Sequence, residues 1–135
     1  MKIEKYAVIL STGQTVQCEY DLAGDLLEIY FEKGEATAAI ELTDNLILRF
    51  DWESSRPLSL SIISFSTLLQ PSPYGEMHFE LLVMEWPEGS QEKILGMLRS
   101  APLTELLTLD SYTPAHATYV IPTTAVKQIP TLVAA

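Results

Sequence analysis

With 135 residues, 47% of them hydrophobic and 19% charged, the chain is long enough to bury a core without disulfides or a metal, and its composition excludes bulk disorder. Eighteen acidic residues against eight basic ones leave a net charge of −10, which disfavours direct binding to nucleic acid by simple repulsion and makes a basic partner the more plausible one. The charged share lies below the ordinary quarter or so, too little to coat a surface evenly, so an apolar patch covered by a second copy is expected.

Residues 1–5 carry charges but lead into no apolar run of signal-peptide length, and no stretch reaches the roughly eighteen apolar residues of a membrane helix. The single cysteine, Cys18, allows no disulfide framework within the chain. A cytoplasmic setting without membrane association is expected. Residues 6–10 form an apolar run, and Ser11, Thr12, Gly13 and Gln14 turn it back into the next, which predicts a leading hairpin. Its edge needs a neighbour or a cover, and a second copy is one way to supply it.

From residue 15 to residue 63 the apolar side chains recur at every second position, the signature of strands with one buried side. Val16, Cys18 and Tyr20 oppose Thr15, Gln17 and Glu19; Leu27, Ile29 and Phe31 oppose Glu28, Tyr30 and Glu32. Ala38, Ile40 and Leu42 then oppose Thr37, Ala39 and Glu41, and Leu46, Leu48 and Phe50 oppose Ile47, Arg49 and Asp51. Leu58, Leu60 and Ile62 complete the series. Turn residues separate the runs: 21–25 with Gly24, Lys33 with Gly34, Asp44 with Asn45, and Ser54, Ser55 and Pro57. Connections this short join antiparallel neighbours, so the block reads as a meander.

Tyr20, Asp21, Asp25, Leu27 and Ile29, followed by Glu41, Leu42, Asp44 and then Asp51, resemble the bacterial domain-of-unknown-function family numbered 2283. The likeness covers residues 16–69, about half the chain. It implies a strand-and-turn fold running into a short helix, and a bacterial origin. It implies no activity, because the family has no assigned catalytic residue. The segment 52–57 departs from the family's acidic, glycine-containing turn, and everything after Gln70 lies outside the shared region.

Ser64 or Ser66 can cap a short helix over residues 67–69, and residues 70–75, with Pro71 and Pro73, read as a connector. Residues 77–86 are nearly continuously apolar after Glu80 and are read as extended. Pro87 can open a helix, with Glu88, Ser90 and Glu92 near its positive end and Ile94, Leu95, Met97 and Leu98 as its apolar stripe. A helical turn over 102–107, a last strand over 117–121 ended by Pro122, and an irregular tail over 126–135 complete the chain. The whole is one domain: a strand-rich part over 1–69 and a helix-containing extension over 76–135.

His78 and His116 have no ligand at metal spacing. No serine stands in a nucleophile turn, the glycines are scattered, and Cys18 lies on an apolar side, so no catalytic set, cofactor or metal is expected. The acidic residues are the constellation to weigh. Glu19, Glu28 and Glu41 share the polar side of the strands, where they form a solvated face relieved by Arg49, or a carboxylate pair able to hold calcium or magnesium. Asp21, Asp25 and Asp44 stand at turns, where a carboxylate organises a hairpin. Trp52, Trp86, Tyr74, Tyr112 and Tyr119 lie among connectors, where packing outweighs partner anchoring.

The expected fold is therefore α+β, an antiparallel meander of five or more strands with one or two helices on its apolar face. The expected function is a non-enzymatic, self-associating interaction module. Two rivals stand beside it: an acidic partner or inhibitor of a small basic protein, antitoxin-like, and a carboxylate-based cation binder or enzyme.

Overall fold

A computed structural model describes residues 3–68, 78–116 and 118–127. Each alternating run forms a strand. They are β1 (Ile3–Ile9), β2 (Thr15–Asp21), β3 (Leu26–Tyr30), β4 (Ala38–Thr43), β5 (Leu46–Asp51) and β6 (Arg56–Ile63), followed by the one-turn helix α1 (Phe65–Leu68). The leading hairpin closes with Gly13 N–H on the Leu10 carbonyl at 2.9 Å and Leu10 N–H on the Gln14 carbonyl at 2.8 Å. Gly13 has φ +91° there, a conformation glycine takes without penalty.

The sheet is six-stranded and antiparallel throughout, in the order β1-β2-β3-β6-β5-β4. It is two three-stranded meanders joined where β3 pairs with β6. The link over residues 31–37 therefore does not make a hairpin. It crosses the ends of β6 and β5, about 14 Å at some 4.8 Å per strand, well within the reach of seven extended residues. The crossing is tied at both ends: Phe31 N–H donates to the Leu58 carbonyl at 2.8 Å and Thr37 N–H to the Phe50 carbonyl at 3.2 Å.

Alternation sets which side is dry. Val16, Leu27, Ile29, Leu42, Leu46, Leu48, Phe50, Leu60 and Ile62 are fully buried. They share one continuous core with side chains from the second half of the chain. There the elements are β7 (Phe79–Glu80), a 3-10 turn at Val83–Glu85, α2 (Gln91–Leu98), a 3-10 turn at Leu103–Glu105, β8 (Leu107–Tyr112) and β9 (Ile121–Val126). Ile94, Met97 and Leu98 of α2 are buried in that core, as the apolar stripe requires.

The second half departs from the sequence reading in four places. The helical turn expected over 102–107 is confined to Leu103–Glu105, and Leu107–Tyr112 form the unforeseen strand β8. Only Phe79 and Glu80 of the apolar run pair as a strand; the following residues turn instead. The helix starts at Gln91 rather than near Pro87, because the Ser90 hydroxyl donates to the Pro87 carbonyl at 2.5 Å and closes a separate turn first. The last strand runs through Pro122 to Val126 and is the middle of a second sheet, β7-β9-β8. Pro122 is tolerated because β7 is only two residues long and pairs with Thr123 and Thr124, and the Pro122 carbonyl still accepts from Leu81 N–H at 3.0 Å. The connector 70–75, Leu69, Met77, Ala117 and the tail 128–135 lie outside the described residues.

The two margins of the large sheet differ. Beside β4, Leu82 N–H donates to the Leu42 carbonyl at 2.9 Å and Trp86 Nε1 to the Glu41 carbonyl at 2.8 Å, so the segment around the first 3-10 turn covers that edge. Beside β1, nothing among the described residues pairs with the outer edge.

Leu48 is fully buried and Ile9 is 73% exposed, although both belong to alternating strands. Leu48→Ala is therefore expected to cost about 2–5 kcal/mol in urea unfolding through transfer and cavity terms, and Ile9→Ala less than about 0.5 kcal/mol.

Candidate functional site

The outward side of the six-stranded sheet carries the acidic residues in a defined row. Strand register aligns Lys5, Glu19, Glu28, Ser61, Ile47 and Glu41 across the six strands. Glu19 and Glu28 are direct cross-strand partners. Glu41 is not beside them: β6 and β5 intervene, and three strand spacings put it roughly 14 Å from Glu28.

Each member of the pair has its own counter-group. Lys5 Nζ lies 3.7 Å from Glu19 Oε1, and Arg49 Nη1 lies 3.9 Å from Glu28 Oε2. Ser61 links the second set, donating from Oγ to Glu28 Oε2 at 2.7 Å while accepting from Arg49 Nη1 at 2.6 Å. Ser61 is only 2% exposed and Ser59 only 7%, because small side chains at the middle of the sheet sit below larger neighbours. Beside them Tyr30 has its hydroxyl raised above the ordinary value by desolvation, and further by Glu19 and Glu28. Among the described residues no three His, Cys, Asp or Glu side chains come together closely enough to share an ion.

The aspartates divide by role. Asp21 Oδ1 accepts from the amides of Ala23 and Gly24 at 3.1 and 3.3 Å, the hairpin turn expected of it. A Cβ at Gly24 would stand 3.1 Å from Asp21 Oδ2, so a side chain there would require that carboxylate to shift by a few tenths of an ångström. Asp25, at φ +51°, reaches instead across the fold. It accepts from Tyr20 Oη at 2.5 Å, from Ser66 Oγ at 2.6 Å and from Ser66 N–H at 3.1 Å. The helix α1 is thus capped by a carboxylate from a distant hairpin, and Ser66 is a donor to it rather than the cap. At the β4–β5 turn the bonds belong to Thr43 and Asn45, not Asp44: Thr43 Oγ1 accepts from Asn45 N–H at 3.1 Å, and Asn45 Nδ2 donates to the Ile63 carbonyl at 3.1 Å. Asp51 is a further turn organiser, accepting from the Ser54 hydroxyl at 2.7 Å and the Ser54 amide at 3.1 Å. The Ser54 hydroxyl first, then its amide, holds this carboxyl below the ordinary range.

The remaining candidate groups are placed as follows. Cys18 is buried, and burial pushes its thiol up to about 11, which makes it unreactive at neutral pH. His78 Nδ1 is 3.9 Å from Asp110 Oδ2 at the surface, and His116 is exposed at φ +65°. Trp86 is buried, while Trp52 lies 5.4 Å beneath Lys93 Nζ in a cation–π contact. Tyr119 is exposed; Tyr74 and the side chain of Tyr112 lie outside the described residues.

The described residues line three concavities at the surface. One of about 550 Å³ lies on the outer sheet face between Gln17, Glu19, Tyr30, Glu32 and Lys33. Two others flank the segment Leu82–Glu85, with volumes of about 490 and 340 Å³. They gather residues far apart in the chain, Ala39 to Glu41 with Pro87 on one side and Tyr119 to Pro122 on the other, so periodicity gave no warning of them. No helix of the described residues is long and apolar enough to cross a membrane. Compared with family models, curated proteins and solved structures, the chain matches none.

Asp25 gives the fold a pH dependence with a defined sign. Desolvation pushes its carboxyl up, but the Ser66 hydroxyl, Tyr20 and the Ser66 amide outweigh it, so the carboxyl stays below its ordinary value. The stabilisation it contributes is present above the ordinary value of about 3.9 and fades as pH falls through the depressed one. Its hydrogen bond and burial push the Tyr20 hydroxyl up to about 12, so that contribution is whole below about 10 and fades as pH rises toward 12. Melting temperatures of Asp25→Asn should fall less steeply on acidification than those of the parent, and Tyr20→Phe should flatten the alkaline limb.

Proposed function

We propose that the protein is a non-enzymatic interaction module that pairs with a second copy of itself through β1. The observation that carries this reading is the contrast between the two margins of the large sheet: β4 is covered by the chain's own segment, while β1 has no partner among the described residues. A seven-residue strand with an open edge is a template for another strand.

The register of that pairing follows from the hairpin. Leu10 bonds to Gln14, so bonding alternates along the strand. Val8, Tyr6 and Glu4 bond to β2, and the backbone groups of Ile3, Lys5, Ala7 and Ile9 face outward. An antiparallel two-fold pairing about Tyr6 sets Lys5 opposite Ala7 of the second copy, so the two lysines do not meet head-on. It also sets Ile3 against Ile9, both large apolar side chains that are 47% and 73% exposed in the single chain. The net charge of −10 opposes association, so moderate salt should strengthen it.

The neutralised carboxylates of the outer face also suit a binding surface more than an acid–base site. A reducing, cytoplasmic setting belongs to the same reading, supported by a single buried cysteine. So does the likeness of residues 16–69 to the bacterial family numbered 2283, supported by Tyr20, Asp21 and Asp25 and by a strand that runs into a short helix.

Sedimentation velocity in moderate salt should show a dimer at rising concentration. Ala7→Pro should sediment as a monomer with its melting temperature little changed, since proline at that position removes an outward-facing N–H and no bond to β2. A parent protein that stays monomeric at its highest soluble concentration overturns the proposal.

A further inference from the structure

We infer that the two grooves beside Met84 are a docking surface for a basic, amphipathic segment of a partner protein. The inference goes beyond self-pairing through β1 and uses a different part of the molecule.

The grooves lie on either side of one short ridge. Leu82 and Glu85 line both of them, and Met84 stands on the ridge with 91% of its surface exposed. Tyr119 and Val120 bound the larger groove and are about three-fifths exposed, at 61% and 60%. Three large apolar side chains held in water beside a 490 Å³ groove form a contiguous patch, and a patch of this kind marks a contact surface more often than scattered apolar residues do.

Charge selects the occupant. Glu80 and Glu85 line the larger groove, Glu41 and Glu85 the smaller, and no lysine or arginine lines either among the described residues. Glu88 follows one residue beyond Pro87. A second copy of the chain would bring ten further negative charges to an acidic rim, whereas lysines or arginines flanking an apolar anchor meet both requirements at once. Glu41 takes on a role here that the outer-face row does not give it, because its strand lies beside this ridge rather than beside Glu28.

The ridge is also positioned rigidly. Leu82 N–H is bonded to β4, Trp86 Nε1 is bonded to Glu41, and Gln91 Nε2 donates to the Val83 carbonyl at 3.1 Å. The backbone of Met84 is therefore presented on a fixed turn, so covering it adds little backbone ordering cost.

The test uses fluorescence anisotropy with a labelled synthetic peptide of lysines and leucines arranged to give one apolar and one basic side. Two matched peptides accompany it, one with glutamate for every lysine and one with serine for every leucine. The parent protein should bind the first peptide, less tightly as salt rises, and should bind neither control. Met84→Ser and Glu85→Lys should each weaken binding by roughly tenfold. The remote reversal Glu53→Lys, on the exposed β5–β6 turn, should change it far less. Ala7→Pro should bind as the parent does, which separates this surface from the β1 edge. No binding, equal binding of the serine peptide, parent-like binding by Met84→Ser, or equal losses from Glu53→Lys and Glu85→Lys would each overturn the inference.

Discussion

A sheet with one apolar face must press that face against something dry, and the rest of this molecule follows from that requirement. Some nine side chains from five strands are withdrawn fully from water on one side. At about 1.5–3 kcal/mol for each large apolar side chain, this is the dominant favourable contribution to folding. The second half of the chain supplies the cover: α2 lays Ile94, Met97 and Leu98 on the core, and Leu81, Leu103, Leu106, Leu107 and Val126 fill around them. The core is thus shared between the two halves of the chain.

Covering the face does not cover the edges. Backbone groups at a sheet margin need partners independently of side-chain packing. The chain meets this need at β4 by turning residues 82–86 against it, and the same turn exposes Met84 and its acidic grooves. At β1 none of the described residues meets that need. Both candidate contact surfaces thus arise from how the margins are managed, one as the unpaired edge and the other as a by-product of pairing.

The outer face shows why acidic residues in a row need not make a reactive site. Glu19 and Glu28 are direct neighbours, yet Lys5, Arg49 and Ser61 engage them separately. Asp25 is the more consequential carboxylate, since it ties the β2–β3 hairpin to α1 and draws Tyr20 into the same network. These are contacts between residues separated by up to 41 positions, and their physical role is to hold the end of the sheet closed.

Residue order alone determines the strands β2 to β6 and which side of each is buried, the apolar stripe of α2 and the Asp21 turn, because each rests on spacing along a few neighbouring residues. It could not determine that β3 meets β6 rather than β4, since pairing depends on which dry faces come together and not on the length of the link between them. For the same reason the meander expectation sets Glu41 beside Glu28, whereas two strands separate them; the expected last strand over 117–121 gives way to β9 at Ile121–Val126; and the carboxylate of Asp25, not Ser64 or Ser66, caps α1. The Met84 grooves belong wholly to the tertiary structure: their walls come from three separated segments, and only folding sets those walls side by side.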